Sequence, residues 1–166
     1  LPDDKRNIAP RFDHYPELPQ VGHNGFTATI LAGSALGKTA PTKIYSPIVG
    51  MDLYSHQANC GELPLDSAYE YGFMCLEGSA KINGETLEPG TLFYFSTGNT
   101  AVTIEASANT RLLLVGGEPF EEELIIWWNF VARTGEEIVK ATNDWNAGLH
   151  FPDVPKTPLT RLVAPD

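Results

Sequence analysis

The segment that most constrains this chain is Lys81-Ile82-Asn83-Gly84-Glu85-Thr86. Asn-Gly supplies two positions of positive φ, as the type I′ turn of a two-residue β-hairpin requires, and the flanks alternate in polarity. A hairpin is predicted there. Shortly after it, Glu88-Pro89-Gly90-Thr91 gives a second turn, in which Pro89 pre-sets φ and Gly90 accepts a left-handed conformation. That turn delivers the chain into Leu92-Phe93-Tyr94-Phe95.

The same pattern extends in both directions. Short β-like runs fall at 26–32, 42–45, 49–55, 69–76, 80–82, 92–95, 101–106 and 111–115. The abundance of Gly (15) and Pro (13) fits many short strands joined by turns. These runs predict an all-β sandwich or barrel, and 166 residues bury one sizeable core without requiring two.

The two ends read differently. Leu1 to Gly25 holds Pro2, Pro10, Pro16 and Pro19 with no apolar period, so residues 1–25 are expected to be an extended arm or linker that needs a surface to lie on. A start at Leu1 in place of Met leads us to expect residues upstream. Residues 26–120 are expected to form the β domain, 121–150 an apolar segment and helix, and 151–166 a tail with Pro152, Pro155, Pro158 and Pro165. The helix is predicted from Thr134, which can cap the amide of Glu137 while the Glu137 side chain reaches back. Ile138, Ala141 and Trp145 make its apolar stripe, and Gly148 closes it. Before it runs Leu124-Ile125-Ile126-Trp127-Trp128-Asn129-Phe130-Val131, which is too apolar to stay exposed. Adjacent residues of an extended chain face opposite ways, so one indole is expected in the core and one at an interface. A partner domain or second chain is therefore expected to dock on Leu124 to Val131 and on the N-terminal arm.

Charge removes several classes of partner. Eleven Lys and Arg against 21 Asp and Glu leave a net charge of −10, which repels phosphate backbones, so nucleic acid is not expected to bind. No stretch approaches the roughly 18 apolar residues of a membrane span, so no membrane partner is expected. Two cysteines, Cys60 and Cys75, make no disulfide framework, which points to a reducing cytoplasm.

The residues that carry chemistry are sparse. His14, His23, His56 and His150 form no His-x-His or His-Glu-x-x-His pattern. The nearest approach to a ligand pair is His56-Gln57-Ala58-Asn59-Cys60, which needs a turn and further donors to hold an ion. Cys60 and Cys75 lack the low-pKa setting of a redox pair, and Cys75, between Met74 and Leu76, reads as core. Gly116-Gly117-Glu118-Pro119 lacks the Lys-Ser/Thr and following helix of a phosphate loop, so it reads as the end of a strand. Glu121-Glu122-Glu123 reads as a solvated loop, and no Gly-x-Ser-x-Gly elbow surrounds any serine. No catalytic, cofactor-binding or metal-binding residue is assigned.

Leu76-Glu77-Gly78, the Asn83-Gly84 turn, and Pro89-Gly90 followed by an aromatic strand resemble the hairpin core of a cupin barrel. Adding Arg111 to Pro119 and Asn129-Phe130-Val131-Ala132-Arg133-Thr134-Gly135-Glu136-Glu137-Ile138 makes residues 26–150 resemble the C-terminal cupin of pirin-like proteins. The resemblance implies a cupin-type double-stranded β-helix, a jelly-roll barrel, with one short C-terminal helix. It also implies a bicupin, whose N-terminal barrel, absent here, holds iron on three histidines and a glutamate. Metal-binding cupins place a His-x-His pair in a first motif and a His in a second. This chain has Pro64-Leu65-Asp66-Ser67 in the first and Phe93 in the second. The resemblance therefore implies the metal-free structural half of an iron-dependent enzyme like quercetin 2,3-dioxygenase. Two other roles remain: a redox-responsive regulatory module that contacts other proteins, and a stand-alone cupin that binds a small organic ligand.

Overall fold

The computed structural model describes residues 1–6, 8–9, 11–151 and 153–165. Pro10 and Pro152, named above for the arm and tail, lie outside the described residues. The strands are β1 (Gln20–His23), β2 (Phe26–Ala32), β3 (Ser34–Ala35), β4 (Lys38–Thr39), β5 (Ile48–Ser55), β6 (Asn59–Pro64) and β7 (Glu70–Glu77). They continue with β8 (Ala80–Ile82), β9 (Glu85–Leu87), β10 (Leu92–Phe95), β11 (Ala101–Ala106), β12 (Thr110–Gly117), β13 (Ile125–Trp127) and β14 (Phe130–Ala132), followed by one helix, α1 (Gly135–Asn146).

Two large antiparallel sheets make most of the first compact unit, Leu1–Pro119, in which β3 and β4 also pair as a small sheet of their own. One has six strands in the order β1-β2-β5-β12-β7-β10, and the other has four in the order β6-β11-β8-β9. The non-consecutive neighbours are those of the jelly roll that the resemblance implies. Alternate residues of each strand enter one shared core, because side chains in a strand point to opposite faces. The six-stranded sheet contributes Ile30, Leu53, Phe73 and Leu112, and the four-stranded sheet Ile82, Val102 and Ile104, all essentially inaccessible to solvent.

The predicted hairpin forms, with Ile82 opposite Glu85 and both Asn83 (φ 50°) and Gly84 (φ 83°) left-handed. A second hairpin of the same kind lies inside the expected arm. Asn24 (φ 43°) and Gly25 (φ 82°) turn β1 back onto β2, so residues 20–23 are a strand and not linker. The run at 42–45 is no strand. Prolines at 41 and 47 bracket it, and the Thr42 hydroxyl donates to the Leu31 carbonyl at 2.6 Å, tying the segment down as a loop. β6 is a strand that no sequence pattern marks, because Gly61 and Pro64 interrupt it; among the described residues it pairs only with β11, at the sheet edge where Pro is tolerated.

Phe120–Asp166 forms a second compact unit. Leu124 to Val131 is not one extended run. It folds into the β13–β14 hairpin with Trp127 opposite Phe130, and Trp128 sits in the two-residue turn at φ 51°. Neighbours at this turn do not face opposite ways as in an extended chain, and neither indole enters the core as expected: Trp127 is exposed and Trp128 half-buried. The helix starts where the capping box places it. Thr134 Oγ1 accepts the Glu137 amide at 3.3 Å, while Glu137 Oε2 accepts the amide of Arg133 at 2.9 Å, one residue further back than Thr134. At the other end Leu149 donates to the Asp144 carbonyl at 2.7 Å around a left-handed Gly148.

Candidate functional site

Of the residues that the resemblance sets at cupin ligand positions, Leu65 and Phe93 are partly buried, whereas Pro64, Asp66 and Ser67 are exposed. Leu65 and Phe93 pack against the buried core. Phe93 lies 5.1 Å from Phe95 between ring centroids, and Phe95 meets Phe73 edge-on at 5.8 Å. The polar groups nearby are occupied locally. The Asp66 amide donates to the Tyr71 hydroxyl at 2.8 Å, the Asp66 carboxylate accepts the Ala68 amide at 2.9 Å, and the Ser67 carbonyl accepts from Gly98 at 2.8 Å. Burial pushes the Tyr71 phenol above the ordinary tyrosine range, as it does that of Tyr69, 6.1 Å away. By accepting the Asp66 amide, the Tyr71 hydroxyl ties the turn at residues 66–69 to β7. Tyr71 was not singled out by sequence reasoning; its alternation with Phe73 in β7 was the available signal.

The four histidines are not brought together. His14 is exposed in the arm, and His23, on β1, places Nε2 3.0 Å from the Glu62 carbonyl. His56 is exposed and meets Tyr54 edge-on at 4.5 Å, while His150 follows the helix in a left-handed conformation. His56 and Cys60 flank a turn with both side chains exposed. Among the described residues, no three of His, Cys, Asp and Glu form a group able to hold a metal ion. Cys60 is exposed on β6 of the four-stranded sheet and Cys75 is buried on β7 of the other; both are free thiols. Burial pushes the Cys75 thiol up, away from reactivity. Gly116 and Gly117 lie within β12. A side chain at Gly116 would meet the Tyr71 ring at 2.5 Å, so this pair permits close strand packing and cradles no phosphate.

In the second unit, Trp128, Phe130, Trp145 and Phe151 form an aromatic cluster with centroid separations of 5.3–6.4 Å. A pocket of about 580 Å³ lies beside it, lined by Trp128, Trp145, Leu159 and Leu162 together with Asp153 and Arg161. Its charges are spent within the protein. Arg161 donates to Asp153 at 2.7 Å and to the carbonyls of Phe151 and Trp145 at 2.6 and 3.2 Å, and its guanidinium lies 4.8 Å from the Trp145 ring centre. Arg161 had no sequence signal, since a lone Arg in a Pro-rich tail looks like linker. Trp127, Ile126 and Val131 of the hairpin are exposed.

Residues 50–152 match the profile of the pirin C-terminal cupin domain. The fold superposes on the crystal structure of a quercetin 2,3-dioxygenase from Acinetobacter baumannii with a TM-score of 0.95 and 41% identity, over 100% of this chain and 56% of that one. A Pseudomonas aeruginosa protein whose quercetin 2,3-dioxygenase name is provisional is 41% identical over 148 residues, 89% of this chain and 47% of its own. A pirin-like protein from Caulobacter vibrioides is 29% identical over 158 residues, 93% of this chain and 54% of its own. The chain thus spans about half the length of the relatives it matches.

Proposed function

The chain belongs to the pirin family as its C-terminal cupin domain, and from that premise we propose that it is the metal-free structural half of a quercetin 2,3-dioxygenase-like enzyme. The iron that the family implies belongs, in this reading, to the cupin upstream. One observation carries this. At the positions where a metal-binding cupin has donors, Leu65 and Phe93 pack against the core, and the neighbouring Asp66 carboxylate closes its own turn. These residues do not fit an iron site, which needs at least three converging imidazole or carboxylate donors with positions left open. No chemical step is assigned to this barrel; its role is to wall and support the domain that reacts. Two unpaired thiols and the absence of any helix long and apolar enough to span a membrane, among the described residues, are consistent with a cytoplasmic protein.

Anaerobic Fe(II) titration of the purified 166-residue chain, followed by oxygen uptake with quercetin, tests the reading. We expect no stoichiometric iron retention and no uptake, and both from the full-length gene product. Retention with turnover by this chain alone would place a reaction centre in its barrel and end the proposal. The exposed Ile126, Trp127 and Val131 favour a second reading, a module that docks on another protein through the β13–β14 hairpin. Full-length protein that binds iron yet leaves quercetin untouched would favour that role. An intact gene product no longer than this chain would favour the stand-alone ligand-binding cupin.

A further inference from the structure

The outer face of the six-stranded sheet is divided in two. Over β1, β2 and β5 it is polar, as the solvated side of an antiparallel sheet should be. Gln20 donates to Thr29 at 3.1 Å across the β1–β2 pair, and Asp52 of β5 forms an ion pair at 2.6 Å with Arg111 near the start of β12. Over β12, β7 and β10 the same face carries an apolar patch, with Arg111 of β12 at one end and Glu70 of β7 at the other, where the Tyr94 hydroxyl donates to Glu70 Oε2 at 2.8 Å. Strand register sets Leu92 beside Met74 and Met74 beside Leu113 in one row, and Tyr94 beside Gly72 and Gly72 beside Val115 in the next. Of these, Leu92 (54%), Tyr94 (58%) and Val115 (45%) are exposed, and Leu76 extends the patch at 47%.

Single exposed apolar side chains are ordinary, but a contiguous set over three neighbouring strands is not. The edge strand sharpens the contrast. Natural sheets guard free edges with charge, Pro or a bulge, yet β10 is Leu-Phe-Tyr-Phe and, among the described residues, pairs only with β7. Gly72 contributes no side chain between Tyr94 and Val115, and the Leu92 side chain lies over that position.

We infer that this apolar patch is covered in the intact protein by the remainder of its own chain, packed against the sheet. The inference rests on the reading of this chain as one half of a longer protein. The lengths identify the occupant: the Acinetobacter baumannii relative matches the whole of this chain yet only 56% of itself, leaving a domain-sized remainder. Two domains of one chain need only a modest, partly polar interface to stay together, and an apolar patch bordered by a polar half-face is of that kind. The surface lies in the first unit, on strands that the sequence marked only as core formers.

Site-specific thiol labelling tests this. In a Cys60→Ser background, Val115→Cys and, as a second position, Leu92→Cys are placed in both the full-length gene product and the 166-residue chain. Maleimide modification under native conditions is followed by peptide mass spectrometry, with Glu85→Cys on the exposed hairpin as reference. Both patch thiols are expected to label at least tenfold more slowly in the full-length protein than in the short chain, where they keep pace with the reference. Equal rates in the two proteins overturn the inference and leave the family reading intact, since the latter is judged separately by iron content. Protection in the short chain that grows with protein concentration overturns it in favour of a second copy as occupant. A gene product no longer than this chain overturns both.

Discussion

The two compact units hold themselves together by opposite means. Leu1–Pro119 has a core of twenty buried residues drawn from both sheets, several with no accessible surface. In Phe120–Asp166, among the described residues, only Phe130, Ala132 and Ala164 are buried hydrophobics, and α1 buries none of its residues. What the second unit has instead is specific polar contact: Arg161 spans two carbonyls, a carboxylate and an indole, Trp145 Nε1 donates to the Leu162 carbonyl at 2.7 Å, and Asn146 accepts the Ala164 amide at 2.8 Å. A core of this size tolerates the loss of any one hydrogen bond. A unit this thin rests on a few.

Substitutions that strike each kind of support should separate the units. Phe73→Ala removes a ring with no accessible surface and is expected to cost about 4 kcal/mol, through lost transfer energy and the cavity left behind. Urea titration should report it as a shift of the whole sandwich transition. A loss below 1 kcal/mol would mean that the core closes over the gap. Next in size, Arg161→Ala is expected to cost about 2 kcal/mol, because carbonyls built to receive a charged donor are left unmet. Hydrogen exchange should locate that loss in α1 and leave the β5 and β12 amides unchanged. Faster exchange throughout both units would show that they are not independent.

Thr134→Ala is expected to cost about 1 kcal/mol, since the Glu137 amide loses its cap, and superimposable thermal melts would mean that the helix does not depend on this cap. Smallest is an alkaline effect of the sandwich core. Burial raises the Cys75 thiol in the folded state above its unfolded value. Its contribution is therefore fully present below the unfolded thiol's titration range and is lost as pH rises through the folded one. Stability should decline above about pH 8.5, and Cys75→Val should flatten that slope relative to the parent. An unchanged slope would assign the decline to other groups.

How far the sequence could be read follows the same division. The strands of the sandwich were legible where a two-residue period met turn chemistry, as at Asn83-Gly84, and the helix start was legible from Thr134 and Glu137. β6 and β1 were not: one carries Gly and Pro at a sheet edge, and the other sits behind a run of prolines that drew attention from Asn24-Gly25. The chemistry of the ligand positions was legible as residue types, Leu65 and Phe93, but their packing was not. In the second unit local patterns misled. Eight residues from Leu124 to Val131 read as one strand because Asn129, with no Gly or Pro beside it, is a weak turn signal among large apolar neighbours, and the clasp made by Arg161 depends on partners 8–16 positions away. Non-local polar contacts leave no periodicity to find.

The left-handed Trp128 bears on the order of folding. Asn-Gly prefers the geometry of its turn before anything packs on it, so the β8–β9 hairpin can close by itself on the microsecond scale. Trp128 adopts φ 51° against its own preference, and what offsets that strain is contact with the rings of Phe130 and Trp145, the latter on a helix not yet formed when the hairpin would close. The first hairpin can nucleate its neighbours, whereas the second must wait for them. A peptide of residues 79–88 should show cross-strand NMR contacts in water while one of residues 123–134 shows none. Trp128→Gly, which frees the turn but removes the ring, should let the second peptide fold further alone and leave the unit it came from less stable.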